Sequence, residues 1–291
     1  MKYGALEAGG TKMVCAIGTE QGKILDRISL PTETPETTLP AIIDYFKGAG
    51  ISALGIACFG PVDLDRQSPS YGCITTTPKL AWRNCNIVKI LGEALQVPVG
   101  FDTDVNGSML GEATWGCAQG LDTAIYITIG TGVGVGVLAN GKLLHGMLHP
   151  EGGHILLSRH PEDTYAGKCP YHANCLEGMA AGPAIEARWG KKAWELADCP
   201  QVWELESYYI AQALANYILI LSPQKIILGG GVMHQEQLMP LIRKKTLDLL
   251  NGYVDAKQLQ DPEHYIVLPS LDDNQGILGA VKLAMNAEAE S

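Results

Sequence analysis

The sequence has little of several features that mark other classes of protein. Its 291 residues include 21 Lys and Arg against 31 Asp and Glu, and a net charge of −10 disfavours broad attraction to nucleic acid or to an anionic membrane. The N-terminal stretch has no apolar core of the kind found in secretion signals. We therefore expect a cytoplasmic protein that binds neither nucleic acid nor membrane.

Uninterrupted hydrophobic runs of membrane-spanning length are also missing. Residues 123–141 are broken by glycines, which is typical of paired strands, and residues 207–224 contain polar side chains typical of a buried globular helix. Of the eight cysteines, six show no pairing pattern. We expect these six to pack as small apolar residues in a reducing compartment: Cys15, Cys58, Cys73, Cys85, Cys117 and Cys199.

Glycine, by contrast, is abundant at 34 residues, and its clusters indicate backbone that approaches a ligand. The first cluster is Gly9-Gly10, between predicted strands at 3–7 and 13–18. Adjacent glycines let backbone N–H groups reach a phosphate without a Cβ in the way, and Thr11 adds a hydroxyl. A glycine hairpin alone is weak evidence, because ordinary turns of this kind are common.

Residues 124–144 repeat this plan and strengthen the interpretation. A predicted strand leads into Gly130-Thr131-Gly132, a second strand follows, and Asn140-Gly141 is a strong signal for a two-residue hairpin turn. The repetition predicts an internal duplication, with two similar loops presented to one cleft. The alternative is a pair of unrelated glycine-rich hairpins.

A carboxylate follows the predicted strand at 97–101. Asp102 or Thr103 is the expected N-cap of a helix that runs to about residue 115. Asp104 is then the candidate for chemistry, because ligands of open α/β sheets bind where strands end and helices begin. The alternative is that Asp104 only stabilises the helix N-terminus as a first-turn acid.

The stretch 149–177 combines metal-ligating side chains with three polar residues that could bind the hydroxyls of a small ligand, Glu151, His154 and Glu177. Its C-x2-H-x2-C spacing suits a closed tetrahedral Zn²⁺ site, with His154 as the expected fourth ligand and His145, His149 and His160 as nearby alternatives. His154 could also use one ring nitrogen for the metal and the other for a ligand. The three residues at the predicted spacing are Cys169, His172 and Cys175.

A third glycine cluster, Gly229-Gly230-Gly231, follows the predicted strand at 225–228. Its position between a strand and a predicted helix suits a nucleoside or a phosphate.

Together these motifs resemble those of the ROK sugar kinases, which have the duplicated actin-like, hexokinase-type ATPase fold of the α/β class, with two lobes around a cleft. Residues 7–12 resemble the first phosphate loop of that family, 129–132 the second, and 103–106 the catalytic segment. Residues 151–154 together with the C-x2-H-x2-C group resemble the family signature. The stretch 71–82, YGCITTTPKLAW, is similar to the fructokinase branch.

The resemblance implies an ATP:hexose 6-phosphotransferase, with fructose as the expected substrate and mannokinase or glucokinase as alternatives. It implies that Asp104 is the general base, that Mg²⁺ accompanies ATP, that Zn²⁺ is structural and that the protein is a homodimer. The expected sugar ligands are Gly60, Thr103, Asn106, Glu151, His154 and Glu177. The expected nucleotide ligands are Gly9, Gly10, Thr11, Lys12, Gly130, Thr131, Gly132, Pro183, Gly229, Gly230, Gly231 and Val232.

Two departures from the family pattern bear on the positioning of metal or water and on the choice of hexose. Glu7 stands where the first phosphate loop usually begins with Asp, and Thr103 stands where glucose-specific members commonly have Asn. The second departure favours a hexose other than glucose. A smaller lobe is expected at 1–120 and a larger one at 121–275, with a helix at 276–291 packed back on the first.

Two other functional classes share features with this sequence. The family includes sugar-responsive repressors with an N-terminal DNA-binding domain, but here the first phosphate loop begins at residue 7, and the charge is negative. A zinc-bearing sugar-binding module without catalysis would be insensitive to Asp104→Asn.

Overall fold

The computed structural model describes all residues, 1–291, and the chain divides into two compact units. The first unit comprises Met1–Gly120, Leu143–His149 and Ser270–Ser291; the second comprises Leu121–Lys142 and Pro150–Pro269. Residues 143–149 and 270–275, which the expected boundaries assign to the second lobe, therefore group with the first.

The first unit is built on a five-stranded sheet in the order β3-β2-β1-β4-β7. β1, β2 and β3 form an antiparallel meander, while β4 and β7 run parallel to β1. The 9-residue helix α2 was not expected from the sequence. In chain order the elements are β1 (Tyr3–Ala8), β2 (Lys12–Gly18), β3 (Ile24–Pro31), α1 (Pro35–Phe46), β4 (Leu54–Cys58), β5 (Cys73–Ile74), β6 (Cys85–Asn86), α2 (Ile87–Leu95), β7 (Val99–Thr103) and α3 (Asp104–Trp115).

The second unit repeats the sheet order, as β10-β9-β8-β11-β12, with β11 and β12 parallel to β8. The predicted duplication is therefore confirmed at the level of topology. The elements are β8 (Ala124–Ile129), β9 (Val133–Ala139), β10 (Lys142–Leu143), α4 (Leu176–Ala180), α5 (Gly182–Trp189), α6 (Pro200–Leu221), β11 (Lys225–Gly229), α7 (Leu238–Leu250), α8 (Lys257–Gln260), α9 (Pro262–Tyr265) and β12 (Ile266–Val267).

The last helix, α10 (Gln275–Glu290), packs on the sheet of the first unit and on α3. Small residues permit this close approach: a Cβ at Gly55 would collide with the carbonyl oxygen of Ala280 in α10, and one at Gly279 with the carbonyl oxygen of Gly107 in α3. Interiors are packed at crystal density, so such contacts leave no room for a methyl group. The position of α3, and of the residues at its N-terminus, is therefore fixed by backbone-to-backbone packing.

Alternation along β1 explains how one strand serves both faces of the sheet. Leu6 and Ala8 belong to the apolar cluster that includes residues of α1 and α2, whereas Tyr3 and Ala5 belong to the cluster formed with α10. Successive side chains of a strand point to opposite faces, so both sides of this sheet are covered. Across the chain, no helix is both long enough and apolar enough to cross a lipid bilayer.

Candidate active site

The first glycine loop joins β1 to β2 and is held in place by the end of β3. The Gly9 N–H donates to the carbonyl oxygen of Lys12 at 3.0 Å, which closes the turn. Thr32 braces it from the side: its N–H donates to the carbonyl oxygen of Thr11 at 3.0 Å and its hydroxyl to that of Gly9 at 2.7 Å. A Cβ at Gly9 would lie 2.7 Å from the carbonyl oxygen of Lys12, so only glycine fits this turn.

The junction between β7 and α3 supports the assignment of Asp104. Thr103 is the N-cap: its hydroxyl oxygen accepts the N–H of Asn106 at 3.1 Å. Asp102 is buried and accepts the N–H of Thr103 at 2.8 Å and the amide Nδ2 of Asn106 at 2.7 Å. Asp104 is the first residue of the helix and is only partly buried; its Oδ1 accepts the N–H of Val105 at 2.9 Å. The Asn106 Oδ1 is buried without a hydrogen-bond partner.

Asp104 also affects a neighbouring thiol. Burial raises the pKa of Cys58, at the end of β4, far above its ordinary value, and the nearby carboxylate of Asp104 raises it further. Cys58 therefore stays a neutral thiol, and Asp104 lies at the carboxyl end of two adjacent parallel strands. That edge of a sheet is where ligands bind in open α/β folds.

Two of the alternative zinc-ligand histidines make other contacts in the first unit, His145 at this junction and His149 in the segment after β4. The Nε2 of His145 lies 2.8 Å from the Asp102 Oδ2, and this hydrogen bond raises the pKa of His145 above its ordinary value. The Nε2 of His149 accepts the N–H of Val62 at 3.4 Å, close to Gly60. His145 as a partner of Asp102 was missed from sequence, because 43 residues separate the two.

In the second unit, four side chains converge as a metal site requires. Their ligand atoms all lie within 4.8 Å of one another. The Sγ of Cys169 is 3.8 Å from the Nδ1 of His154 and 3.7 Å from that of His172, and the Sγ of Cys175 is 3.7 Å from the Nδ1 of His154. Ligands about 2.0–2.3 Å from a tetrahedral Zn²⁺ are separated by roughly 3.5 Å, so the donor set fits the ion.

His154 is therefore the fourth member of the cluster, and its second nitrogen points to a carboxylate. The Nε2 of His154 is 4.0 Å from the Oε1 of Glu177. Burial raises the pKa of the Cys175 thiol to about 11, so a bound cation would have to displace its proton.

Two glycines place His154 against the sheet. A Cβ at Gly152 would lie 2.8 Å from the Val135 side chain, and a Cβ at Gly153 would collide with the carbonyl oxygen of Val133. The hydroxyl of Tyr217 donates to the carbonyl oxygen of Gly152 at 2.7 Å. The short 3-10 turn Gly152–His154 is thereby pressed onto β9, with Glu151 exposed at its start.

The remaining nucleotide candidates cluster around the second glycine loop. The Gly130 N–H donates to the carbonyl oxygen of Gly132 at 2.9 Å, and the Gly182 N–H, at the start of α5, donates to that of Gly130 at 2.8 Å. Pro183 follows in the first turn of α5. Gly230 (φ +89°) packs on Ile129 at a distance that excludes a Cβ.

Other nucleotide candidates differ in exposure. Thr131 and Gly231 are exposed, whereas Gly229 and Val232 are buried and support the loop from the interior.

In the first unit, burial raises the pKa of Glu7, and the charges of Arg27 and Lys12 oppose this rise. The Glu7 carboxylate lies 2.7 Å from the position that a Cβ at Gly276 would occupy.

Known proteins resemble this chain over nearly its whole length. Residues 3–287 match the model of the ROK family. A Bacillus subtilis (strain 168) protein is 54% identical over 292 residues, 99% of this chain and 98% of its own. The fructokinase of Pediococcus pentosaceus is 46% identical (99% of each chain), and that of Zymomonas mobilis 43% (98% of this chain, 97% of its own).

Among solved structures, the ROK hexokinase of Thermus thermophilus superposes with a TM-score of 0.82 at 26% identity, over 100% of both chains. A ROK family glucokinase of Streptomyces griseus, in complex with glucose and AMPPNP, superposes with a TM-score of 0.75 at 24% identity, over 98% of this chain and 100% of its own. The second likeness is one of fold.

Proposed function

The chain belongs to the ROK family, and we propose that it is an ATP-dependent fructokinase that converts D-fructose to fructose 6-phosphate. The observation that carries this is identity of 46% and 43% with fructokinases over nearly the whole length of each chain. The glycine loops and the Asp104 junction supply the chemistry that such a reaction needs.

Asp104 acts as the general base in this proposal. It accepts the proton of the fructose 6-hydroxyl while that oxygen forms a bond to the γ-phosphorus of ATP. The bond from the γ-phosphorus to the β,γ-bridging oxygen breaks, and its electron pair leaves with ADP. Phosphoryl transfer depends mainly on positioning and charge stabilisation, so one carboxylate beside the nucleophile suffices.

The phosphates of ATP are assigned to the glycine loops of the two units. Gly9, Gly10, Thr11 and Lys12 offer N–H groups, a hydroxyl and an ammonium in the first unit, and Gly130 to Gly132 offer backbone and the hydroxyl of Thr131 in the second. Pro183 and Gly229 to Val232 are assigned to the nucleoside. Mg²⁺ would neutralise charge on the β- and γ-phosphates.

The hexose hydroxyls are assigned to polar groups near Asp104 and near the cysteine–histidine cluster. Glu151, His154 and Glu177 supply two carboxylates and an imidazole. In the first unit, the unpaired Oδ1 of Asn106 can accept a hydroxyl proton, the hydroxyl of Thr103 keeps its own proton to donate, and the wall is completed by Gly60.

Zn²⁺ would be held by His154, Cys169, His172 and Cys175, and its role would be structural. Four protein ligands leave no coordination position for a substrate. The ion would fix the 155–175 loop in place. It would thereby also fix the residues on either side of that loop.

A panel of hexoses tests the proposal. The purified enzyme is supplied with ATP and Mg²⁺, and kcat/KM is measured for fructose, mannose and glucose by coupled ADP release. We expect fructose to have the highest value and the product to carry phosphate at O6, identified by NMR. Absence of ADP release with all three sugars would overturn the kinase assignment, and a preference for glucose would overturn the choice of hexose.

A further inference from the structure

The side chain of Lys79 lies over the first glycine loop. A Cβ built at Gly10 would lie 3.2 Å from the Cε of Lys79, and the ammonium is one bond further along. Lys79 comes from the connection between β5 and β6, 69 positions away from Gly10 in sequence. Folding therefore adds a cation to a loop whose own sequence offers glycines, Thr11 and Lys12.

The backbone that carries Lys79 is fixed. The Lys79 N–H donates to the hydroxyl oxygen of Thr77 at 3.3 Å, and its carbonyl oxygen accepts the N–H of Trp82 at 2.9 Å. Thr77 is fully buried, and Trp82 is 1% exposed. The short 3-10 helix Leu80–Trp82 thus begins directly after Lys79.

The same strand end holds both the lysine segment and the glycine loop. The indole N–H of Trp82 donates to the carbonyl oxygen of Glu33 at 2.7 Å. The preceding residue, Thr32, holds the loop through its bonds to Gly9 and Thr11. The segment that follows Lys79 is therefore hydrogen-bonded to Glu33, and the glycine loop to the preceding residue, Thr32.

The Lys79 ammonium has no carboxylate partner. None of the ion pairs in the structure includes it, although the chain has ten more acidic than basic side chains. Lys79 is partly buried on a backbone segment held by hydrogen bonds, and its side chain lies beside the first glycine loop. An ammonium without a carboxylate partner in this position suits negative charge that arrives with a ligand.

From this geometry we infer that Lys79 is a catalytic residue that contacts the γ-phosphoryl oxygens of ATP. The inference rests on the proposed kinase function. As the bond from the sugar oxygen to the γ-phosphorus forms and the bond to the bridging oxygen breaks, the ammonium stabilises charge on the transferring group. The proton still goes to Asp104, and the electron pair still leaves with ADP. An ammonium aimed at the γ-phosphate serves ATP and not ADP.

Lys79→Met tests this, because Met retains the aliphatic stem over Gly10 and removes only the charge. We expect kcat to fall roughly 100-fold or more, with the KM for fructose changed by less than about threefold. AMPPNP, which has a γ-phosphate, should bind about tenfold more weakly, while ADP binding should stay within about threefold. Lys79→Arg should recover part of kcat.

Matched variants keep the result interpretable. Lys89→Met removes an exposed lysine on α2 of the same unit and should change none of these quantities. Lys79→Gln is prepared alongside, so that a folding defect of the Met variant does not decide the outcome. A kcat within about threefold of wild type, or equal weakening of ADP and AMPPNP, would overturn the assignment. If the wild type phosphorylates no hexose, the proposed function fails, and the comparison of AMPPNP with ADP still decides the role of Lys79.

Discussion

Glu177 accepts the backbone N–H of Val133 through its Oε2 at 3.0 Å. Val133 is the first residue of β9, directly after the second glycine loop, and Glu177 follows the cluster residue Cys175 by two positions. The other carboxylate oxygen lies 4.0 Å from the Nε2 of His154. One carboxylate thus connects the end of a phosphate loop with the cysteine–histidine cluster.

Glu177→Gln is expected to weaken the binding of fructose more than the binding of ATP. The amide oxygen can keep the bond to the Val133 N–H, but the charged acceptor for a sugar hydroxyl is lost. Hydrogen bonds to charged groups are worth about 1.5–3 kcal/mol, so the KM for fructose should rise about 10–100-fold. Steady-state kinetics at saturating ATP measures this, with the exposed Glu186→Gln on α5 as control. A rise in the KM for ATP alone would assign Glu177 to the phosphate loop instead.

Asp104→Asn separates the general base from a purely structural first-turn acid. Loss of the base should lower kcat by about 10²–10⁴, with a smaller effect on fructose binding. A first-turn acid without a chemical role would cost only about 0.3–1 kcal/mol of stability and leave kcat unchanged. Glu36→Gln, in the first turn of α1, is the matched control. Both kcat and the urea unfolding curve are to be measured.

Substitution of a cluster cysteine should release a metal ion. We expect purified wild-type protein to contain one Zn²⁺ per chain by atomic absorption, and Cys175→Ser to lose it together with several degrees of Tm. Cys199→Ser, which changes a thiol outside the cluster, should do neither. Zinc-free wild type with the same Tm as Cys175→Ser would refute a structural metal.

His145 should make a small, pH-dependent contribution to stability. Its pKa is raised by the bond to Asp102, so the folded state binds the proton more tightly than the unfolded state. The contribution is fully present below the unfolded value of about 6.5 and is lost as pH rises through the higher folded value. Since the side chain is 41% exposed, screening keeps the effect below about 1 kcal/mol.

His145→Gln retains a hydrogen-bond donor for Asp102 but does not titrate. Urea unfolding of both proteins between pH 6 and 8.5, a range around the reference value of about 6.5, should show a shallower decline for the variant. Parallel pH profiles of the two proteins would mean that the hydrogen bond to Asp102 does not raise the pKa of His145.

Gly279→Ala, a change in α10, should displace α3, which packs against it. The added methyl group would meet the carbonyl oxygen of Gly107, and overpacking of this kind costs about 1–3 kcal/mol. Because Asp104 begins α3, kcat should fall as well. Asn286→Ala, at an exposed position of α10, should change the free energy of unfolding by less than about 0.5 kcal/mol. Unchanged stability in Gly279→Ala would show that the helices can move apart freely.

Much of the architecture follows from local signals. The paired strands around Gly9-Gly10 and Gly130-Thr131-Gly132 were predicted because β-branched alternation and glycine turns are properties of adjacent residues. Thr103 was one of two expected N-caps, because N-cap preference is also a property of adjacent residues. Helix α2 was missed, since it follows a turn-rich segment and its nine residues give a short periodic signal.

The chemical groups can be identified from the order of residues along the chain: two repeated glycine loops, a carboxylate at a strand end and a C-x2-H-x2-C spacing. Which distant groups meet them depends on the folded structure. It assigned His154 to the cluster and His145 to Asp102, and it laid Lys79 over Gly10. Spacing along the chain constrains neighbours within a turn or a strand, whereas contacts across tens of residues depend on how sheets and helices pack.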